Sequence, residues 1–289
     1  VADTEFRIES AVGTLELVST PGGVGPFRLM AGTKGLGLPA EILLTKPSAS
    51  GGGWYRGHKV GMRTGTLVIE VRGESRTQTE NRLRLLAAHV DADNSPVLVA
   101  VIPGDGTYRL PFYRDGGGEA GYTQWGDKVT EVAFEVVAPQ PYWVRDEPVQ
   151  FSVSLSDEEQ KGLLPDLAEL PVMSSDAYGE LVLDNPGDVR APIFFRITGP
   201  GGPVTVTVDG RGFQFLTPLA EGEVVTIERT PQGWRVRDTT GTNRYGDLAP
   251  APKFPYAPRG VSTGVVVLQD AGEGASIAGW FNPMRKLVY

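Results

Sequence analysis

Glycine and proline cut this chain into short pieces. They supply 38 and 23 of its 289 residues, about a fifth of the chain, where globular proteins average roughly 12%. Both are costly inside helices, which weighs against a helix bundle. Between the breaks, apolar and polar residues alternate over strand lengths. The pattern predicts a mainly β protein, and the length predicts two domains of roughly 150 residues each.

The first half opens on a hairpin. Phe6 and Ile8 alternate with Arg7 and Glu9, Leu15 and Leu17 flank Glu16, and Ser10–Gly13 is the turn. Pro21 to Gly53 follows as a long loop-rich stretch without clear periodicity, holding the Gly51-Gly52-Gly53 run and the apolar island Ile42-Leu43-Leu44. A stretch of that length inside a domain is normally functional or mobile. Thr66–Arg72 reads as a strand with Leu67, Ile69 and Val71 on one face. One helix is expected near Gln78–Val90, with Thr77 and Glu80 as a capping box and Leu83, Leu86, Ala87 and Val90 as its apolar stripe. Val97–Ile102, Thr107–Tyr113 and Val129–Ala138 read as further strands. Pro139-Gln140-Pro141-Tyr142-Trp143 ends the half, because two prolines so close stop a strand and stiffen a link.

The second half is almost all strand signal. Val149, Phe151, Val153 and Leu155 alternate with polar residues. An acidic stretch, Ser156–Glu169, reads as a short helix or a loop. Strands then recur at the 8–12-residue spacing of a sandwich: Pro192–Thr198, Pro203–Val208, Gly212–Thr217, Glu223–Arg229 and Trp234–Asp238. Pro250–Pro258 is a proline-rich loop, and the last strands are expected near Val265–Leu268, Ala275–Phe281 and Lys286–Tyr289.

Composition restricts the chemistry. Cysteine is absent, so there is no disulfide framework, thiolate nucleophile or Cys-ligated metal. Two histidines, His58 and His89, are too few for a multi-histidine centre. His89 is expected at the core edge or surface of the helix, and His58 in a loop beside Trp54, Tyr55 and Arg56. Neither accompanies a G-x-S-x-G elbow, and no phosphate-binding G-x-x-x-x-G-K-[ST] motif occurs. Asp91-Ala92-Asp93-Asn94 lacks the glycine and glutamate of a calcium loop. No catalytic residue, metal ligand or cofactor is therefore assigned, and the expectation is a protein that is not an enzyme. The formal charge of −8 argues against a surface that binds nucleic acid throughout. No run reaches the roughly 18 apolar residues of a membrane helix, so no membrane insertion is expected. Val1–Glu5 lacks the basic start and apolar stretch of a leader.

Two sets of residues remain as candidates. Leu36, Leu38, Ile42, Leu43 and Leu44, in the early glycine-rich stretch, offer apolar surface that a lone domain need not bury, and Trp54, Tyr55 and Arg63 follow them. Trp234, Tyr245, Tyr256 and Trp280 lie in the strand-rich second half. Exposed aromatics there would stack on sugars, although the tryptophans, each in an expected strand, are assigned to the core in preference.

The order of several segments resembles the distal tail proteins of long-tailed (siphovirus-type) bacteriophages, including the minor tail proteins of phages of actinobacteria. In the first half the resemblance is carried by Gly51–Arg63 (GGGWYRGHKVGMR), by Asn81–Leu86, and by Val132–Trp143, which ends in the A-P-x-P-Y-W boundary. In the second half it is carried by Asn185–Ile193, Ile197–Pro200, Leu219–Glu223 and the strand Val224–Arg229.

The resemblance implies a first domain, 1–143, related to tail-tube subunits: a β-sandwich or split barrel with one helix. It implies a second, 144–289, that is a galectin-like β-sandwich. It further implies a homohexameric ring that joins the tail tube protein to the tip or baseplate hub protein, with phage DNA passing through unbound. The protein would be part of the virion tail tip, assembled in the host cytoplasm. On this reading about residues 21–63 form a belt between subunits, which fits the apolar residues named above. Two other readings stay open. One is a carbohydrate-binding or host-adhesion module using the second sandwich. The other is a hydrolase of cell-wall polymers.

Overall fold

The computed structural model describes residues 4–19, 23–119, 128–154 and 177–288. The acidic stretch Ser156–Glu169, the start of the loop-rich stretch at Pro21 and the end of the last expected strand at Tyr289 lie outside them. The chain divides into two compact units: one runs up to Glu147 and resumes at Met284, and the other is Pro148–Pro283.

The first unit contains β1 (Glu5–Ser10), β2 (Gly13–Leu17), β3 (Phe27–Leu29), β4 (Glu41–Pro47), β5 (Gly53–Val60), β6 (Arg63–Arg72), helix α1 (Arg76–His89), β7 (Val97–Ile102), β8 (Gly106–Pro111), β9 (Tyr113–Gly117), β10 (Val129–Ala138) and β11 (Trp143–Arg145). The second contains β12 (Val149–Ser154), β13 (Ala177–Asn185), β14 (Ala191–Pro192), β15 (Phe194–Thr198), β16 (Val204–Val208), β17 (Arg211–Phe215), β18 (Val224–Thr230), β19 (Gly233–Asp238), β20 (Tyr256–Ala257), β21 (Gly260–Leu268) and β22 (Ser276–Phe281). The last strand, β23 (Met284–Arg285), belongs to the first unit. The protein is mainly β.

In the first unit one sheet runs β2-β1-β7-β8-β11-β23 and a second runs β3-β6-β10-β9. Neither closes into a barrel. Alternation along the strands sends Phe6, Ile8, Leu67, Ile69, Val132 and Phe134 into one core, which Leu86 and Val90 of α1 join. The helix starts two residues earlier than expected. Ser75 caps it by accepting from the Gln78 N–H at 3.3 Å, so Thr77 lies inside the first turn. Ala87 is exposed, and Thr79 and His89 share the buried face with Leu86. His89 is thus not at the surface: it is 2% exposed, with Nδ1 2.9 Å from Ser10 Oγ. Burial holds its imidazole below the ordinary pKa.

Trp143, expected in a link, is fully buried in the first unit, on a strand paired to β8 and β23. The loop-rich stretch holds β3, β4 and, at its end, the start of β5. The glycine run is the turn of the β4–β5 hairpin, hidden from periodicity because neither of its faces is buried.

Arg63 ties this unit together. It is 4% exposed. Its Nε donates to the Pro141 carbonyl at 2.8 Å, Nη1 to those of Gly35 at 2.7 Å and Gly37, and Nη2 to that of Lys286 at 2.7 Å. Four carbonyls from three distant stretches of backbone meet on one cation. The close approach requires glycine: at Gly35, with φ +89°, a Cβ would lie 2.5 Å from the Gly65 Cα.

The second unit has sheets β12-β22-β15-β18-β19 and β13-β21-β16-β17, with β14 and β20 as a small separate pair. Phe195 of one sheet meets Phe213 of the other with ring centroids 5.3 Å apart. Val204, Val206 and Val208 face the core. On β22, Gly279 gives its space to the Phe151 ring opposite, which a Cβ would strike at 2.1 Å. Strand β13 escaped the sequence reading. Leu181 and Leu183 are buried while Val182 between them is 68% exposed, so three apolar residues in a row mask the alternation.

Replacing Arg63 by Met takes the shared donor from four half-buried carbonyls and is expected to cost about 3 kcal/mol, read as a lowered midpoint in denaturant unfolding of the full chain; an unchanged midpoint would contradict the tie. Because the folded His89 pKa lies below the unfolded value near 6.5, the unfolded state takes up the proton first. Stability should therefore fall as pH drops from about 6.5 toward the lower folded value. His89→Asn should flatten that slope in melting temperatures recorded between about pH 5 and 7, above the range where the carboxylates titrate.

Candidate functional site

The hairpin β4–β5 of the first unit is a two-stranded sheet with no third strand paired to it among the described residues. Its register pairs Glu41 with Val60, Leu43 with His58 and Lys46 with Trp54, and it shifts between Leu44 and Thr45 opposite Gly57 at φ +137°. Alternation puts Ile42 and Leu44 on one face and Leu43 on the other, and all three are exposed. Leu43, Trp54 and Tyr55 are 63%, 69% and 63% exposed. Tyr55 and His58 hydrogen-bond through Oη and Nδ1 at 2.9 Å. At its base the Gly61 N–H donates to the Ala40 carbonyl at 3.1 Å, and Lys286 pairs with Glu41 at 3.5 Å.

A bare two-stranded hairpin is marginal in water, and apolar side chains on both its faces add to the cost. The interface candidates therefore divide. Leu38, Ile42, Leu43, Leu44, Trp54 and Tyr55 face solvent. Leu36 packs against the core of the first unit, and Arg63 is spent inside it.

The aromatic candidates also divide. Trp234, Tyr245 and Tyr256 gather around buried Phe254. Trp234 stacks on Phe254 at 4.5 Å and 18°, with Tyr256 edge-on to Trp234 at 6.3 Å and Tyr245 6.2 Å from Phe254. Trp280 stands apart, against Phe194 at 5.9 Å and Arg196.

Neither tryptophan is fully buried, contrary to the expectation that both are core. Trp280 occupies the outer face of β22, alternating with buried Ile277, Gly279 and Phe281. Trp234 shares the inner face with Val236 but lies at the start of β19, across from Arg229, where the face leaves the core.

Around Tyr256 stand three arginines that no sequence signal singled out, because they come from three separate strand ends. The Cζ atoms of Arg190, Arg211 and Arg229 lie 5.0, 5.4 and 6.0 Å from its ring centroid. All three are exposed. Arg244, nearby in sequence to Tyr245, is different: Glu223 and Asp247 hold it in ion pairs. Glu223 lies below the usual carboxylate range because the Ala220 N–H and Arg244 both donate to it.

Among the described residues no group of His, Asp and Glu converges as metal ligands, and no helix is long and apolar enough to cross a membrane.

No protein-family model matches the sequence, and no curated protein matches it. Solved structures do. The chain is similar to the SPP1 Dit (gp 19.1) protein, described as a paradigm of the hub adsorption apparatus in phages that infect Gram-positive bacteria. That match has a TM-score of 0.66 and 12% identity and covers 96% of this chain and 98% of that one. It is also similar to chains of the phage P2 baseplate in its activated conformation. With calcium the TM-score is 0.51 at 12% identity, covering 99% of this chain and 100% of that one; with strontium it is 0.51 at 13% identity, with the same coverage. Across both of its units, the chain has the β fold of the SPP1 Dit protein.

Proposed function

We infer that this chain is a structural hub of a siphovirus-type phage tail tip, a distal tail protein that works by assembly and carries no catalysis. The observation that carries the reading is the β4–β5 hairpin, apolar on both faces and uncovered by its own unit. It fits a belt laid against the next copy in a homohexameric ring, where a neighbour supplies the cover the chain lacks. The likeness to a hub protein and to baseplate chains supports the same reading.

In this arrangement the first unit is the tail-tube-like, ring-forming domain and the second a galectin-like sandwich. The ring joins the tail tube protein to the tip or baseplate hub protein in the virion, after assembly in the host cytoplasm. DNA crosses it without specific binding. Six copies multiply the formal charge of −8, so an acidic or neutral bore lets DNA slide where a basic wall would hold its phosphates.

Light scattering of the purified full chain should give six times the 31.0 kDa protomer mass, and negative-stain images should show rings. The double variant Leu43→Asp/Trp54→Asp should remain a protomer at an unchanged melting temperature, since both side chains are solvent-facing in the single chain. A hexamer that survives those substitutions would remove the hairpin from the interface. Duplex DNA should show no retention by the assembled protein at physiological salt, and tight, salt-sensitive retention would contradict the unbinding bore.

A further inference from the structure

The ring reading makes no use of the arginine–aromatic cluster of the second unit, and the inference drawn from it does not depend on that reading. Strand pairing builds it. Register places Arg229 of β18 directly opposite Trp234 of β19. It pairs Tyr256 of β20 with Pro192 of β14, and Arg190 stands two residues before Pro192. Arg211, at the start of β17, donates from Nε to the Phe254 carbonyl at 3.3 Å. The cluster is therefore held by backbone pairing and not by the chance meeting of long side chains.

Its electrostatics are unfinished. None of the three arginines takes part in any ion pair of the described residues. Each is within 6.0 Å of one tyrosine ring centroid, so the three charges gather around one phenol. A ring attracts a cation over each of its two faces. One phenol therefore cannot compensate three guanidinium groups, which also repel one another. The excess is local, in a chain whose net charge is −8. A compact anion would relieve it, and the guanidinium fork suits a carboxylate or phosphate.

Beside the charges lie aromatic surfaces of a second kind. Trp234 has one face against Phe254 and is partly open, and Tyr245 is 41% exposed. Flat, rigid and half wet, they suit the apolar face of a sugar ring.

We propose that the cluster is a binding site for an acidic saccharide, in which Arg190, Arg211 and Arg229 take its carboxylate or phosphate while Trp234 and Tyr245 take its pyranose face. Calorimetric titration of the full chain tests this. Oligogalacturonate supplies the carboxylate form and a phosphomannan fragment the phosphate form; a neutral maltooligosaccharide, poly(glycerol phosphate) and a single-stranded oligonucleotide complete the set.

At least one acidic saccharide should bind. Arg211→Ala and Arg229→Ala should each weaken it about tenfold, Arg229→Lys, which keeps the charge and loses the fork, should recover only part of that loss, and Trp234→Leu should weaken it without changing its salt dependence. Melting curves of each variant confirm that the unit is folded. The proposal is overturned if neither acidic saccharide binds, or if binding survives the loss of the arginines. Equal binding of the maltooligosaccharide would refute the role of charge. Equal binding of poly(glycerol phosphate) or the oligonucleotide would refute the role of the sugar ring.

Discussion

A buried cation among carbonyl oxygens organises the first unit. The Arg63 guanidinium is withdrawn from water, and a charge so placed is tolerable only where its donors are met. Its partners come from the glycine stretch at Gly35 and Gly37, from Pro141 and from Lys286 near the end of the chain. The glycines that look like a flexible spacer in the sequence thus have a packing role. Gly35 passes Gly65 at a distance no side chain permits, and that passage brings its carbonyl to the cation. The same anchoring fixes the stretch from which the hairpin departs.

What the sequence disclosed follows from how far each element depends on period alone. Strands with one buried and one wetter face, such as β1 and β10, are legible because burial and alternation agree. Strand β10 was bounded to the residue. Elements that break this agreement were hidden. Strand β13 carries an exposed valine between two buried leucines, and β4 and β5 have no buried face at all. The helix was placed correctly, but its start was misread because Thr77–Glu80 and Ser75–Gln78 both satisfy the capping pattern; the bond from Gln78 to Ser75 decides between them.

The candidate sites were legible only in part, for a related reason. The apolar island Ile42–Leu44 stands out as hydrophobic residues in a glycine-rich setting, and it is exposed. Leu36 and Arg63, its neighbours in sequence, turn inward, which only tertiary contacts reveal. Trp234, Tyr245 and Tyr256 meet as a group, whereas Trp280 is separated from them by its place on the outer face of β22. Arg190, Arg211 and Arg229 are ordinary strand-end arginines until pairing brings them to one phenol ring. Sites assembled from register rather than from contiguous motifs leave no local trace.

The final strand returns to the sheet that holds the first one, and Thr4 Oγ1 donates to the Val288 carbonyl at 3.1 Å. The second unit is consequently an insert, entered and left through the first. During translation the whole insert emerges before β23 does, so the host unit must wait, one edge open, until its guest has been made. The chain passes between host and guest twice, at Pro148 and at Pro283. Such a module can be exchanged or enlarged by lineages while the ends of the host sheet stay where they are.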